Sequence, residues 1–365
     1  MATMKVAILG ASYGGLYLLA DFGRLGLQPT ICDTNPERLK ALEAQGGVEV
    51  VGEGLARFAH LTTDPVDAAK GAELVIVCTG GRGQEAAATT LAPHLKDGQI
   101  ILLISGNTGG SLVVRRALDQ AGCTARVLLA EMDNYPSAYW LRAPAKVEFI
   151  TSKKWLQVAT LPSQDIDKVL PVLSSLIPGV VPASSIFATG LCNMNAVLHV
   201  ANCAVNAGMI DRGDRHLFYG EGVTPIVERM YGLVSDECRA IGRELGVEVP
   251  TLARWYEKCY GISSTSLVDM FKTLSSAPDG PYQPTRSPVS FESGYLAEDV
   301  PCGLVPISAL GAAVGVATPT IDLLIAFVAM ITANAYEKDY RDAARMGISG
   351  QSAAGLRALA ERGFH

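Results

Sequence analysis

The start of the chain is the feature that most constrains its fold. An apolar run at residues 4–9 leads into the turn GASYGG at residues 10–15, and a helical pattern follows as far as about residue 25. This order of strand, glycine-rich turn and helix is that of a βαβ unit, in which Gly10 permits a tight turn and Gly15 lets the helix pack closely on the strand. The opening therefore predicts a doubly wound α/β domain.

The same turn indicates a dinucleotide site. It matches G-x-G-x-x-G except that Ser12 replaces the second glycine, and the N-terminus of the helix behind it would offer N–H groups to a pyrophosphate. A second strand pattern at residues 29–32 ends at Asp33, whose carboxylate would bind both ribose hydroxyls and repel a 2′-phosphate. Asp33 could instead cap the helix that starts near Asn35, or do both. We expect NAD(H) to be favoured and NADP(H) to be possible, because Arg38 lies close to Asp33 in the sequence.

The alternation of strand and helix patterns continues for about half of the chain. Strand patterns at residues 74–78, 100–104 and 127–129 are separated by helical stretches, as in a parallel sheet, and glycine-rich turns follow the first two of them. Such turns lie at the carboxyl ends of strands, where open α/β sheets bind ligands, although ordinary turn chemistry would explain Gly109 and Gly110 equally well. The predicted cofactor-binding residues are Gly10, Ser12, Gly14, Gly15, Asp33, Thr79 and Gly80.

The strand patterns end in the middle of the chain. The last two occur at residues 147–151 and 156–160, and from about residue 184 every regular pattern is helical. One proline-containing stretch, residues 275–305, is predicted to be irregular. A chain of 365 residues is long enough for two cores. We therefore predict a Rossmann-type doubly wound α/β domain at residues 1–182, followed by an all-α domain at residues 183–365.

One helix of the second domain carries a polar stripe. In GLCNMNAVLHVANCAVNAG, residues 190–208, the polar side chains of Asn195, His199, Asn202 and Asn206 are spaced four, three and four apart, which places them within a sector of roughly 60° on a helix. The other positions are apolar, so the helix is predicted to be buried, and its stripe must be hydrogen-bonded or face a wet cavity. His199 is either a core histidine satisfied by the amides or a group that exchanges protons.

A second candidate lies in the segment YLAEDVP at residues 295–301. Asp299 stands among apolar neighbours and close to Pro301, which suits an N-cap or turn residue. It could equally accept a hydrogen bond from one imidazole nitrogen of His199, fix the tautomer and raise the basicity of the ring. The spacing alone does not decide between these two interpretations.

Composition excludes several classes of protein. The net charge of −6 is evidence against a general nucleic-acid binder and against binding to an anionic membrane surface. The most apolar stretch late in the chain, residues 321–333, carries Asp322 near its start and is short for a membrane span. The eight cysteines form neither CxxC pairs nor clusters with metal spacing. We expect a cytoplasmic protein without a structural metal, since the N-terminus also lacks the pattern of an export signal.

These segments together resemble the opine dehydrogenase family of octopine/nopaline dehydrogenase type. The similarity rests on the first glycine turn, on the polar-stripe helix and on the segments SGNTGGSL at residues 105–112, FYGEGVT at 218–224, EDVPCGLVP at 298–306 and GVATP at 315–319. The resemblance implies an enzyme that condenses the amine of an amino acid with an α-keto acid and reduces the imine with NAD(P)H. It also implies that His199 donates the proton and that Asp299 orients it. We expect a homodimer that forms through the helical domain.

The chain departs from the family pattern at one position that bears on the substrate. Members usually have an arginine directly before the tyrosine of this segment, where it is thought to hold a substrate carboxylate, but here that position is Gly294. Either another cation takes its place, with Arg286 a candidate, or the substrates differ. The tentative substrate residues are Asn195, Asn202, Tyr219 and Arg286.

Three other functions compete with this one. Ketopantoate reductases and hydroxyacid dehydrogenases resemble this architecture but use a lysine on the corresponding helix, and residues 190–208 contain none. A reductase of another imine or 2-keto acid would keep the same histidine and aspartate. A catalytically silent NAD-binding protein would not explain why His199, Asn195 and Asp299 occur together.

Overall fold

The computed structural model describes residues 4–277, 280–283, 285–292 and 294–364. By their contacts these residues form two compact units, one made of residues 4–106 and 110–186, the other of Asn107–Gly109 and residues 187–364. The division falls between residues 186 and 187, close to the boundary expected at 182 from the end of the strand patterns. The short loop Asn107–Gly109 belongs to the second unit although it lies within the sequence of the first.

Within its described residues, the first unit is built on two sheets and six α-helices. Its strands are β1 Val6–Leu9, β2 Thr30–Cys32, β3 Val48–Val50, β4 Gly54–Ala56, β5 His60–Thr62, β6 Leu74–Val77, β7 Ile100–Leu103, β8 Leu128–Met132, β9 Ser137–Ala143, β10 Lys146–Ser152, β11 Leu156–Leu161 and β12 Val180–Pro182. Its helices are α1 Tyr13–Arg24, α2 Pro36–Gln45, α3 Pro65–Ala69, α4 Gln84–Leu91, α5 Gly110–Gln120 and α6 Ile166–Leu176.

The main sheet has eight strands in the order β12-β11-β8-β7-β6-β1-β2-β5. All neighbouring pairs are parallel except β8 with β11. In β1, Val6 and Ile8 face one hydrophobic cluster and Ala7 and Leu9 face another. Because side chains alternate across a strand, an uninterrupted apolar run such as this one is what a strand covered on both faces requires.

The second sheet is small and has the order β4-β3-β10-β9. It packs near α1, since a Cβ on Gly23 of α1 would lie 2.4 Å from the Cβ of Ala56 in β4. The hydroxyl of Tyr139 in β9 donates to the carboxylate of Asp21 in α1 at 2.6 Å. These contacts join the small sheet to the first helix of the unit.

The second unit contains helices only, apart from one isolated β-bridge, in the part of the chain that the structure describes. Its helices are α7 Ile186–Leu191, α8 Met194–Val205, α9 Ala207–Asp211, α10 Pro225–Leu245, α11 Leu252–Tyr260, α12 Leu267–Ser276, α13 Gly294–Asp299, α14 Val305–Val314, α15 Pro319–Ile331, α16 Ala343–Met346 and α17 Ala353–Arg362. A π-helical segment, Val300–Leu304, joins α13 to α14 without a break. The predicted fold class, a Rossmann-type domain followed by an all-α domain, is confirmed.

The irregular stretch predicted at residues 275–305 is wrong from Gly294 onward. Helix covers Gly294–Val314, although Pro301 and Pro306 lie inside it. Pro301 falls at the second residue of the π-helical segment and Pro306 at the second residue of α14, so both prolines lie where the hydrogen bonding changes between the α and the π type. Asp299 therefore lies on a helix and not in a loop.

This continuous helix is the one stretch of the described residues that is long and apolar enough to cross a membrane. In its most apolar window 61% of the residues are buried inside the protein. A core helix shows this combination of apolar composition and burial.

Candidate active site

The turn between β1 and α1 is shaped by its glycines. Gly10 has φ +108°, and a Cβ there would lie 2.6 Å from the carbonyl oxygen of Cys78. A Cβ on Gly15 would lie 1.9 Å from the carbonyl oxygen of Gly10, so the helix can approach the turn only with glycine at this position. Gly14 makes room for a side chain of the protein itself, because a Cβ there would lie 2.4 Å from the ring of Tyr135.

Ser12 is the N-cap residue of α1, and among the described residues its side chain makes no capping hydrogen bond to the helix. The first N–H groups of α1 are therefore not satisfied by the usual side-chain cap. A helix N-terminus of this kind binds phosphate well, because its N–H groups and its dipole both favour negative charge.

Asp33 holds the turn in place from the end of β2. One carboxylate oxygen accepts the N–H of Ala11 at 2.8 Å, and the other accepts the N–H of Asn35 at 2.9 Å. The Nη1 of the half-exposed Arg38 lies 3.3 Å from Oδ2 of Asp33. The N-cap of α2 is Asn35 and not Asp33, so the capping role considered for Asp33 falls to its neighbour.

A cavity of about 310 Å³ opens at this edge of the main sheet. Four of the predicted cofactor-binding residues line it, namely Gly10, Ser12, Asp33 and Thr79, while Gly14, Gly15 and Gly80 do not. Arg38, which the sequence analysis named for its effect on the cofactor preference, also lines it. Sequence reasoning missed the rest of the lining, which comprises Leu9, Cys32, Thr34, Pro65, Gly83, Ala86, Ala87 and Thr90. These residues carry no motif, although Leu9 and Cys32 end strands and Pro65 opens α3.

The cavity fits a dinucleotide by the chemistry of its walls. A helix N-terminus without a side-chain cap suits the pyrophosphate, and the buried carboxylate of Asp33 suits ribose hydroxyls. Pro65, Ala86 and Ala87 add apolar surface for a flat base.

In the second unit the stripe on α8 brings His199 to Asp299. The Nδ1 of His199 lies 2.7 Å from Oδ2 of Asp299, and the side chains are only 9% and 6% exposed. Burial raises the pKa of the Asp299 carboxyl, and the imidazole beside it opposes that rise. A buried carboxylate at this distance accepts the Nδ1–H and fixes the tautomer of the ring.

The helix that carries Asp299 approaches α8 through a glycine. A Cβ on Gly303 would lie 2.5 Å from the Cβ of Ala196 in α8, so no larger residue fits without moving the helices apart. The π-helical segment begins directly after Asp299, and segments of this kind occur often at functional sites.

Two carbonyls of the π-helical segment bond outside it. The Pro301 oxygen accepts the backbone N–H of Arg341 at 2.9 Å, and the Cys302 oxygen accepts the N–H of Thr108 at 3.0 Å. These bonds fix the segment, and through it the position of Asp299.

The other nitrogen of the imidazole is also hydrogen-bonded. The Nε2 of His199 lies 2.6 Å from the hydroxyl of Tyr219. The ring of Tyr295 lies against the imidazole with centroids 4.3 Å apart, and the ring of Phe218 contacts it edge-on at 5.9 Å. Tyr295 and Phe218 were missed, although Tyr295 stands four residues before Asp299, a spacing that places both on one face of a helix.

The C-terminal half of the stripe, Asn202 and Asn206, has a structural role. The amide of Asn202 donates to the carbonyl of Phe218 at 2.8 Å, and the amide of Asn206 donates to the carbonyl of Gly222 at 2.9 Å. Both asparagines are buried. They hold the turn that carries Tyr219, so the amide nitrogen of Asn202 is engaged within the protein, and its suggested substrate role stays a prediction.

Asn195, one turn before His199, differs from them. It is half-buried, and no hydrogen bond of its side chain to any described residue is present. Its amide is free to bind another molecule.

Arg286 lies in an isolated antiparallel bridge opposite Leu217, and its side chain is exposed. The bridge brings this segment next to Phe218, which contacts His199. The suggestion that Arg286 replaces the missing arginine stays a prediction.

Gly294 is exposed, and a Cβ on it would meet no described atom within 4 Å. The first residue of α13 therefore leaves open space five residues before Asp299. A longer side chain would fit there without a clash.

Two family models match different parts of the chain. Residues 182–332 match the model described as the α-helical domain of NAD/NADP octopine/nopaline dehydrogenase, and residues 6–130 match a ketopantoate reductase model. The opine dehydrogenase of Arthrobacter sp. (strain 1C) is 30% identical over 358 residues, which cover 97% of this chain and 98% of that protein.

Solved structures show the same fold. Octopine dehydrogenase in complex with NADH and agmatine superposes with a TM-score of 0.77 at 21% identity, covering 100% of this chain and 99% of that one. Yersinopine dehydrogenase with NADP⁺ bound gives a TM-score of 0.70 at 16% identity, covering 98% of each chain.

Proposed function

The chain belongs to the opine dehydrogenase family, and on that premise we propose that it catalyses the NAD(P)H-dependent reductive condensation of an α-keto acid with the amino group of an amino acid. The product is a secondary amine dicarboxylate. The observation that carries this proposal is the buried pair of His199 and Asp299, 2.7 Å apart, on the helical unit of a chain that matches a curated family member over almost its full length.

The pair can manage the proton that the reaction needs. With Nδ1–H donated to Asp299, the proton exchanged with the substrate passes through Nε2, and the carboxylate stabilises the imidazolium while it exists. NADH, when bound, supplies the hydride that reaches the imine carbon. Asn195 would bind the substrate from the same face of α8.

Gly10, Ser12, Asp33 and Thr79 would hold the cofactor, with NAD(H) favoured. The oxygens of Asp33 lie where ribose hydroxyls bind in this type of turn, and a 2′-phosphate would be repelled by them. Arg38 at 3.3 Å from Asp33 could partly offset that repulsion, which leaves use of NADP(H) open.

Gly294 leaves the substrate side of the site without the arginine that family members usually have at this position. An arginine there would add a charge-assisted hydrogen bond to a substrate carboxylate, worth about 1.5–3 kcal/mol. We expect Gly294→Arg to lower the KM of the substrate whose carboxylate it reaches by about tenfold, and Gly294→Gln, which adds length without charge, to lower it much less. Equal KM values in both variants would show that the carboxylate lies elsewhere.

Reduction of a keto acid alone, as in the ketopantoate reductases, is the other candidate, since residues 6–130 match that family model. The enzymes of that group use a lysine on the helix that corresponds to α8, and α8 contains none. Dependence of NADH oxidation on an amino acid separates the two reactions.

The assembly state and location are further proposals. We propose a homodimer formed through the helical unit, because Leu323 and Met330 on α15 are 62% and 76% exposed and exposed apolar side chains favour association. All eight cysteines are free, which suits the reducing cytoplasm. Light scattering during gel filtration measures the first, and fractionation of cells measures the second.

The experiment that tests the function is NADH oxidation by the purified protein with α-keto acids, each with and without cationic, apolar and aromatic amino acids. We expect oxidation to require both partners and to disappear in His199→Ala. His94→Ala, which removes an exposed histidine of the first unit, serves as the matched control and should behave as wild type. Oxidation with a keto acid alone would assign the chain to the other reaction.

A further inference from the structure

Both nitrogens of the His199 imidazole are occupied by the protein. Nδ1 lies 2.7 Å from Asp299, and Nε2 lies 2.6 Å from the hydroxyl of Tyr219. A substrate atom that took its proton directly from Nε2 would have to displace the phenol. The proton path therefore depends on whether Tyr219 can leave.

The ring of Tyr219 is held on several sides. It stacks on Tyr282 with centroids 4.2 Å apart and on Phe271 at 5.5 Å, and it meets Phe218 edge-on at 4.9 Å. Aromatic pairs of this geometry stabilise each other beyond the area that they bury. The residue is 6% exposed, so rotation of the ring out of this position would be costly.

The Tyr219 hydroxyl is able to form a second hydrogen bond. Among the described residues the hydrogen bond to Nε2 is the one that the Tyr219 hydroxyl makes. A phenol can donate one hydrogen and accept another at the same time. When the ring of His199 is imidazolium, Nε2–H donates to the phenol oxygen, and the phenol hydrogen is then available to a third group.

We propose that Tyr219 is the group that hands the proton to the substrate, with His199 behind it and Asp299 behind His199. This inference rests on the proposed function, in which one proton must reach nitrogen for each hydride that reaches carbon. The O–H bond of Tyr219 breaks as its hydrogen bonds to the imine nitrogen, and the Nε2–H bond breaks as that hydrogen bonds to the phenol oxygen. Tyr219 ends unchanged and His199 ends neutral, so one proton has moved and no other reactant is consumed.

The phenol cannot act by losing its proton to water on its own, because burial raises the pKa of Tyr219 well above 10. Simultaneous replacement of its proton by the one on Nε2 avoids a buried phenolate. The titratable groups that surround the relay are Asp299, Glu298, Cys203, Tyr231, Tyr282 and Tyr295.

Tyr219→Phe tests the relay, since it removes the hydroxyl and keeps the stacked ring. We expect kcat for imine reduction to fall by about 10²-fold or more, as for loss of a general acid, while the KM of NADH stays within about twofold. Tyr256→Phe is the matched control, because it removes another buried hydroxyl, one that bonds to Tyr282 at 2.9 Å, and should leave kcat unchanged.

The dependence of kcat on the fraction of D₂O separates a relay from a structural role. Two protons move in the relay, so the wild-type plot should be curved, and that of Tyr219→Phe should be linear. A linear wild-type plot, or a variant with kcat within about threefold of wild type, would overturn the proposal, because the proton would then come directly from Nε2.

A readout without turnover keeps the two proposals distinguishable. ¹⁵N NMR of the histidine ring should show a changed Nε2 shift for His199 in Tyr219→Phe and an unchanged one in Tyr256→Phe. If no pair of substrates supported NADH oxidation by the wild type, the proposed function would fail. If Tyr219→Phe left the Nε2 shift of His199 as in the wild type, the relay would be overturned.

Discussion

Asp299→Asn removes the charge beside His199 and keeps the shape of the side chain. The Asn oxygen can still accept the Nδ1–H at about the present 2.7 Å, so the loss is electrostatic. Two unit charges whose centres lie roughly 4 Å apart interact by about 4 kcal/mol at an effective dielectric constant of about 20. Burial of both side chains, at 9% and 6% exposed, keeps solvent from screening this interaction.

The effect on turnover depends on how much imidazolium charge is present in the transition state. If half to all of it is present, the variant loses about 2–4 kcal/mol of transition-state stabilisation, which lowers kcat by about 30-fold to 10³-fold. Since Asp299 is not among the residues that line the cofactor cavity, the KM of NADH should stay within about twofold.

The assay is initial-rate NADH oxidation with the best pair of substrates, together with thermal unfolding of each variant to verify its fold. Asp322→Asn is the matched control, because that carboxylate bonds to Ser308 and Thr318 at the start of α15. If Asp299→Asn kept kcat within about threefold of wild type while Asp322→Asn did the same, the carboxylate would have no catalytic role and the reasoning would be refuted.

Three further predictions concern the cofactor turn and stability. Asp33→Ala should raise the KM of NADH about tenfold. Because Arg38 is then released, the preference for NADH over NADPH should become smaller, as measured by the KM values of the two cofactors. Asn202→Ala should lower the free energy of unfolding by about 1–3 kcal/mol, measured in urea, because the buried carbonyl of Phe218 loses its partner. Burial raises the pKa of Asp133 from 3.8 to about 7. Its contribution of about 4 kcal/mol to the free energy of unfolding is therefore present below pH 4 and lost as pH rises through 7. Asp133→Asn should flatten the dependence of Tm on pH.

The main sheet could be predicted because its strands are covered on both faces. Uninterrupted apolar runs such as Leu74–Val77 and Ile100–Leu103 indicate strands that are buried on both faces of a sheet. The strands Val48–Val50 and His60–Thr62 were missed because three residues carry little pattern of their own. The equally short Thr30–Cys32 was recognised from its distance to the glycine turn and from Asp33 at its end. Residues 137–143 were missed as well, since a strand that is exposed at one end has no continuous apolar signal.

The helix from Gly294 to Val314 shows how a sound local rule can fail. Proline usually ends a helix, because its ring removes an N–H and clashes with the preceding turn. Here Pro301 lies where the hydrogen bonding changes to the π type, and Pro306 lies in the first turn of α14. The widened turn accommodates the first proline, and nothing in the sequence of one chain announces it.

At the candidate site, the helical periodicity of α8 identified His199 but not the division of labour along the stripe. Asn202 and Asn206 bond to carbonyls of the turn that carries Tyr219, and those partners are a dozen or more residues away. Periodicity tells which side chains share a face, whereas partners on other elements depend on tertiary structure. The pairing of His199 with Asp299, a hundred residues apart, was likewise beyond any spacing argument.

The stripe on α8 therefore both builds the candidate site and takes part in it. The amides of Asn202 and Asn206 fix the turn that carries Tyr219. That turn places the Tyr219 hydroxyl 2.6 Å from Nε2 of His199, which lies on the same helix as the two asparagines. Any shift of α8 moves the imidazole and the anchor of its phenol together, which preserves their distance. Asp299, the other hydrogen-bonding partner of the imidazole, lies on the helix that packs against α8 through Gly303. Both partners are thus placed by α8 or by a helix that packs against it, and this explains why an otherwise apolar helix keeps buried polar residues.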